Sequence, residues 1–128
     1  MATFDAIGIV ATDMAKTLAF YRLLGLEFPE GAESEGHVEA ELAGGFRVMF
    51  DTIEVVESFS SYEPPAGGRA VGFAFRCASP SDVDATFAAV TAAGYEAKKE
   101  PFDAFWDQRY ASVLDPDGNP VDLYAALE

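Results

Sequence analysis

The order of elements in this chain is written twice, and that repetition limits the folds open to it more than any single propensity does. Residues 4–11 are apolar, rich in β-branched side chains and few, which suits a buried strand. Thr12 or Asp13 then supplies an N-cap. Met14, Leu18, Tyr21 and Leu24 recur at helical spacing until Gly25 ends the helix as its C′ residue. Residues 71–77 repeat the strand, Ser79 repeats the cap with Pro80 at N1, and Val83, Phe87 and Val90 mark a buried stripe that stops at Gly94. Gly94 follows Gly25 by 69 positions, and the same shift lays Val83, Phe87 and Val90 on Met14, Leu18 and Tyr21. Beyond its helix the first half reads as extended at 26–28, looped at 29–36, and stranded at 37–42 and 46–52 around Ala43-Gly44-Gly45. The second half reads as extended at 96–99, looped at 102–106, and stranded at 109–114 and 121–125 around a turn at Asp115-Pro-Asp-Gly-Asn119. The spacing predicts a duplicated strand-helix-strand-strand-strand unit, residues 4–57 and 70–127, with a Ser-, Pro- and Gly-bearing linker at 58–69.

Length agrees with this economy. A chain of 128 residues holds one domain, or two small halves sharing a sheet, and is too short for two independent cores. With 50% hydrophobic and 23% charged residues it has enough apolar surface to fold. Its 22 Asp and Glu against 8 Lys and Arg give a formal net charge of −14, a field that repels phosphate backbones and anionic lipid surfaces. Nucleic acid and membrane are therefore not expected partners. The single cysteine, Cys77, cannot close an internal disulfide, and no basic patch with an apolar run precedes Phe4, so a cytoplasmic location is expected. No apolar run approaches the roughly 18 residues that span a bilayer.

Three local patterns carry a resemblance: Ile7-Gly-Ile-Val-Ala-Thr-Asp13, Ala19-Phe-Tyr-Arg-Leu-Leu-Gly25, and Asp115-Pro-Asp-Gly-Asn119-Pro-Val-Asp-Leu-Tyr124. Together with the repeat, the chain resembles the vicinal oxygen chelate superfamily, which includes glyoxalase I, extradiol dioxygenases, and fosfomycin- and bleomycin-resistance proteins. The resemblance implies an α+β fold of paired βαβββ modules, with cupped mixed sheets, helices on the outer face, and modules often paired across a homodimer. It also implies a divalent metal held from the first strand of each half and by a glutamate on the last strand. Those positions fall on Ala6, Gly72 and Asp122; the first two carry no donor, and one carboxylate is not a site where about three protein ligands are usual. The expectation is no cofactor, the alternative being a divalent metal such as Zn, Mn, Fe or Ni held by Asp122 with His37 or nearby glutamates.

Alternation along the strands puts Ala6, Gly8 and Val10 on one face and Gly72, Ala74 and Arg76 on another. Ala6, Gly8, Gly72 and Ala74 are small enough to let a neighbouring element approach closely; aligned with the superfamily these four read as the floor of a cavity. Asp122 and Tyr124 share a face of the last strand and Arg76 points the same way, which leaves two readings open. Arg76 and Asp122 form an ion pair in place of a metal, or Asp122 anchors a cationic ligand group. The segment 102–110 concentrates four aromatics, including Phe102 and Trp106, and reads either as a wall for a planar ligand or as a plug of a sheet edge or dimer interface. Phe50 is counted with these ligand-lining residues. His37 would share a strand face with Glu35, Glu39 and Glu41, read as a solvated acidic face or as a metal or base cluster. Cys77 reads as a buried, inert thiol. No nucleophile is paired with a base, and Gly67-Gly68 lacks the spacing of a phosphate loop. The leading expectation is a metal-free, dimeric protein that sequesters a small aromatic or cationic molecule. Behind it stand a metal-dependent lyase, isomerase or dioxygenase, and a silent family member whose cup is filled by its own side chains.

Overall fold

The computed structural model describes all 128 residues, as two compact units, Met1–Pro64 and Pro65–Glu128. Each unit has its own sheet, three strands in the first and four in the second, rather than a half share of one. In the first unit Asp13 caps α1 (Met14–Leu23) by accepting from the Lys16 amide at 3.1 Å, directly after β1 (Ala6–Ala11). Two further strands, β2 (His37–Glu41) and β3 (Arg47–Thr52), complete a sheet of order β1-β3-β2, with β1 and β3 parallel and β2 antiparallel to β3. Thr52 then caps a short α2 (Ile53–Glu57), an element the sequence pattern did not suggest.

The second unit runs β4 (Phe73–Arg76), α3 (Pro80–Ala92), β5 (Ala97–Ala104), β6 (Gln108–Leu114) and β7 (Pro120–Ala126), in sheet order β4-β7-β6-β5. Here too the first and last strands are parallel and the rest antiparallel. Both long helices stop in the same way. Gly25 and Gly94 take φ of 100° and 97°, and the residue after each donates to the carbonyl three positions before the cap, Leu26 to Tyr21 and Tyr95 to Val90.

Duplication is thus real but imperfect. Segment 26–28, expected to be extended, forms no strand: the Leu26 amide is spent on closing α1, and Phe28 packs edge-on against Phe50 at 5.5 Å. The first unit is therefore strand-helix-strand-strand. The shift of 69 holds only at the helix ends, because α3 has 13 residues and α1 has 10, and the caps Asp13 and Ser79 lie 66 apart. Phe102, expected in a loop, lies in β5. That strand is an edge, where Pro101 withholds no needed ladder donor, and its register slips between Lys99 and Phe102.

Each core lies between helix and sheet. In the first unit Leu18, Phe20, Tyr21 and Phe50 are fully buried, with Tyr21 and Phe50 rings 5.2 Å apart. Burying each such side chain contributes about 1.5–3 kcal/mol before chain entropy is subtracted. In the second, Val83 and Val90 of α3 are buried with Ala111, Val113, Val121 and Leu123, and Asp84 of α3 pairs with Arg109 of β6 at 2.9 Å. Odd-numbered residues of β6 therefore face the helix. Even-numbered ones face away from it, and that second face holds the candidate site.

Candidate functional site

Strand register assembles the face turned away from α3 into two cross-sheet rows. Arg76, Tyr124, Tyr110 and Phe102 are successive partners across β4, β7, β6 and β5, and Ala74, Asp122, Ser112 and Lys99 form the next row. The turn at 115–119 sets this register. The buried Asp115 carboxylate accepts from the Asp117 and Asn119 amides, both at 2.9 Å, and from the Asn119 side-chain amide at 2.8 Å, while Gly118 turns at φ 83°. Asp117 is the centre of symmetry, so Ser112 and Asp122, five residues to either side, become partners.

Asp122 is held by two hydroxyls. Tyr110 donates to Oδ2 at 2.5 Å, and Ser112, almost wholly buried, donates to Oδ1. The ion pair with Arg76, one of the two readings the sequence left open, is not made: these hydroxyls take the carboxylate, and Arg76 stands exposed without an ion pair or hydrogen bond. The Tyr110 phenol is pushed up to about 12, by burial first and by its bond to Asp122 second. It stays a donor at any physiological pH. Each carboxylate oxygen keeps a lone pair for a further donor, and Ala74, the partner on β4, is too small to cover it.

The aromatic row is mutually braced. Trp106 stands edge-on to Tyr110 at 5.3 Å and to Phe105 at 4.8 Å, Phe102 lies 6.3 Å from Tyr110, and Lys99 Nζ sits 5.0 Å over the Phe102 ring. Trp106 and Phe105 remain exposed, the latter at 93%. Of the residues singled out from sequence, Arg76, Phe102, Asp122 and Tyr124 share this face, and Trp106 borders it from the β5–β6 turn. Phe50 does not belong to any such wall: it is fully buried on the α1 side of its own sheet, and its neighbours Met49 and Asp51 take the other face. Tyr110, Ser112 and Lys99 were missed as a set, although pairing outward from Asp117 would have found the first two.

On the first unit the face turned away from α1 holds an ionic chain. His37 Nδ1 meets Asp51 Oδ1 at 2.5 Å and its Nε2 meets Glu39 Oε2 at 2.8 Å; Arg47 joins Glu39 at 2.9 Å and Asp5 at 2.5 Å. The His37 pKa is raised, chiefly by the bond to Glu39 and next by that to Asp51. Cys77 is half-buried, and burial raises its thiol above the ordinary value.

The positions at which the resemblance puts a divalent metal supply few donors. Ala6 offers no donor. A Cβ at Gly72 would lie 3.2 Å from both the Pro120 carbonyl oxygen and its Cγ, so that position has no room for a ligating side chain without a shift. In the first unit Met49 occupies the place of Asp122, since Met49 pairs with Gly8 as Asp122 pairs with Ala74. His37 and Asp122 are each engaged inside their own unit. No three His, Cys, Asp or Glu side chains come together so as to hold a metal ion.

Comparison with known proteins decides the family. The model of the Glyoxalase/Bleomycin resistance protein/Dioxygenase superfamily matches residues 3–123. The chain belongs to this superfamily. Among curated proteins, YaeR of Escherichia coli (strain K12) is 30% identical to this chain over 122 residues, 92% of each chain. Among solved structures, a glyoxalase/bleomycin resistance protein/dioxygenase family enzyme from Burkholderia phytofirmans matches with TM-score 0.79 at 23% identity, covering 98% of this chain and 100% of that one. The fosfomycin resistance protein FosX from Listeria monocytogenes matches with TM-score 0.71 at 18% identity, over 98% and 94% of the two chains. At these identities the structures speak for the fold. No helix is long and apolar enough to cross a membrane.

Proposed function

We propose that this superfamily member is a metal-independent small-molecule binding protein that takes an aromatic or cationic ligand on the α3-distal face of its second unit. The observation that carries the reading is Asp122, a carboxylate fixed by two hydroxyls, beside the aromatic row of Phe102, Tyr110 and Tyr124. Ring faces offer large contact area at low entropic cost and attract cations, and the carboxylate supplies the counter-charge. Chemistry is less well served. The second unit contains no histidine, and the hydroxyls nearest Asp122 are both spent as donors to it. The superfamily's pairing of modules across subunits extends the proposal to a homodimer.

Trp106 is the only tryptophan, so its emission reports on this face directly. Chelator-treated protein titrated with 2-naphthylmethylamine should change Trp106 emission saturably. Asp122→Asn should weaken binding by about tenfold or more, the loss of a charge-assisted bond. Saturation that appears only after a divalent metal is added, or an Asp122→Asn affinity equal to that of the parent, would overturn the reading.

A further inference from the structure

The arginines of this chain are not treated alike. Arg22 pairs with Glu33, Arg47 with Asp5 and Glu39, and Arg109 with Asp84 and Asp103. Arg69 donates to the carbonyls of Gly67, at 3.2 Å, and Asp117, at 2.5 Å. Arg76 alone has no partner, in a chain with 22 acidic residues. It is also the arginine at the end of the aromatic row, beside Tyr124 and one strand and two residues from Asp122. Strand spacing and rise put the two about 8 Å apart, diagonally, at the backbone.

We propose that Arg76 receives a carboxylate carried by the aromatic ligand of this face, which makes that ligand amphoteric: an acid at one end of a planar body and a donor or cation at the other, over Asp122. This deepens the proposed function and rests on it. A guanidinium presents a planar fork of N–H donors that matches a carboxylate in two parallel bonds, and ring faces tolerate the body lying across Tyr124 and Tyr110. The overall charge sharpens the inference. A field of −14 disfavours any anion, so a preference for the acid over its neutral isostere has to come from a local cation.

Three probes of one shape separate the possibilities: 2-naphthoate, neutral 2-naphthamide and 2-naphthylmethylamine, each titrated by Trp106 emission. The parent protein should bind the naphthoate about tenfold or more tightly than the naphthamide. Arg76→Gln should bring the two to parity and Arg76→Lys should keep part of the difference, with unchanged thermal unfolding certifying that both variants fold. Equal affinity of the parent for acid and amide, a comparison that needs no variant, overturns the role of Arg76, as does a preference that survives Arg76→Gln. In either case amine binding leaves the face itself standing. Failure of all three probes to bind overturns the binding face and the Arg76 inference together.

Discussion

His37 bonds through both ring nitrogens to carboxylate oxygens, an arrangement in which both nitrogens donate only when the ring is the imidazolium. Its pKa in the folded chain is raised above the ordinary 6.5. The sign follows: the stabilisation is complete below about pH 6.5 and fades as pH climbs through the raised folded value. His37→Gln should therefore lower the Tm measurably at pH 6 and very little at pH 9. Thermal unfolding at the two pH values checks this, and an equal loss at both would count against the ion pairs. The side chain is 44% exposed, so the effect belongs to the small class of surface pairs, about 1 kcal/mol or less. At this scale the sequence was informative about faces and poor at partners. Glu39 was legible beside His37 because it lies two residues away on one strand, whereas Asp51 is on another strand whose register no local pattern states. Asp122 was legible as a position, but Tyr110 and Ser112, which hold it, come from across a hairpin. Phe50 went astray because it was counted by residue type, although Arg47 and Asp51 alternate with it along β3 and mark the other face as the polar one.

The β5–β6 hairpin aims the aromatic row. Its turn, residues 105–107, places Trp106 against Tyr110 and puts Asp107 at φ 63°, the one non-glycine residue of the chain with positive φ. The Asp107 amide closes onto the Ala104 carbonyl at 3.1 Å, and its own carbonyl accepts from Leu127 at 3.0 Å, so the strained residue pins the hairpin to the end of β7. Asp tolerates this region better than a β-branched residue does. Asp107→Val should cost about 1–2 kcal/mol in urea unfolding followed by Trp106 emission, while Asp107→Gly should stay within about 1 kcal/mol of the parent. A harmless valine would mean that the turn does not constrain the row. Turns written in glycine, proline and aspartate, such as 115–119 and the two helix ends, were legible from residues alone. Only the first part of β5 was, because Pro101 and the register slip beyond Lys99 hide the alternation that marks a strand.

The whole molecule is a duplication whose two copies have diverged in what they carry. One unit has three strands and fills the face opposite its helix with paired charges; the other has four strands and carries an aromatic row with one carboxylate and one free guanidinium. The net charge of −14 gains no single purpose from this, since only Asp5, Glu33, Glu39, Asp84 and Asp103 pair with arginines and most of the remaining carboxylates stand in solvent. Superfamily and fold could be read from the repeat and three short patterns. The vacant ligand positions could be read too, but the tightness at Gly72 needed the Pro120 backbone in place. Metal-independent binding is the central claim, and native mass spectrometry of the freshly purified chain, incubated with 2-naphthylmethylamine and an equimolar mixture of zinc, manganese and nickel, tests it in one spectrum. The account predicts one naphthyl adduct per chain and no retained metal. About one divalent metal per chain, with the adduct formed only on the metal-bearing species, would contradict it.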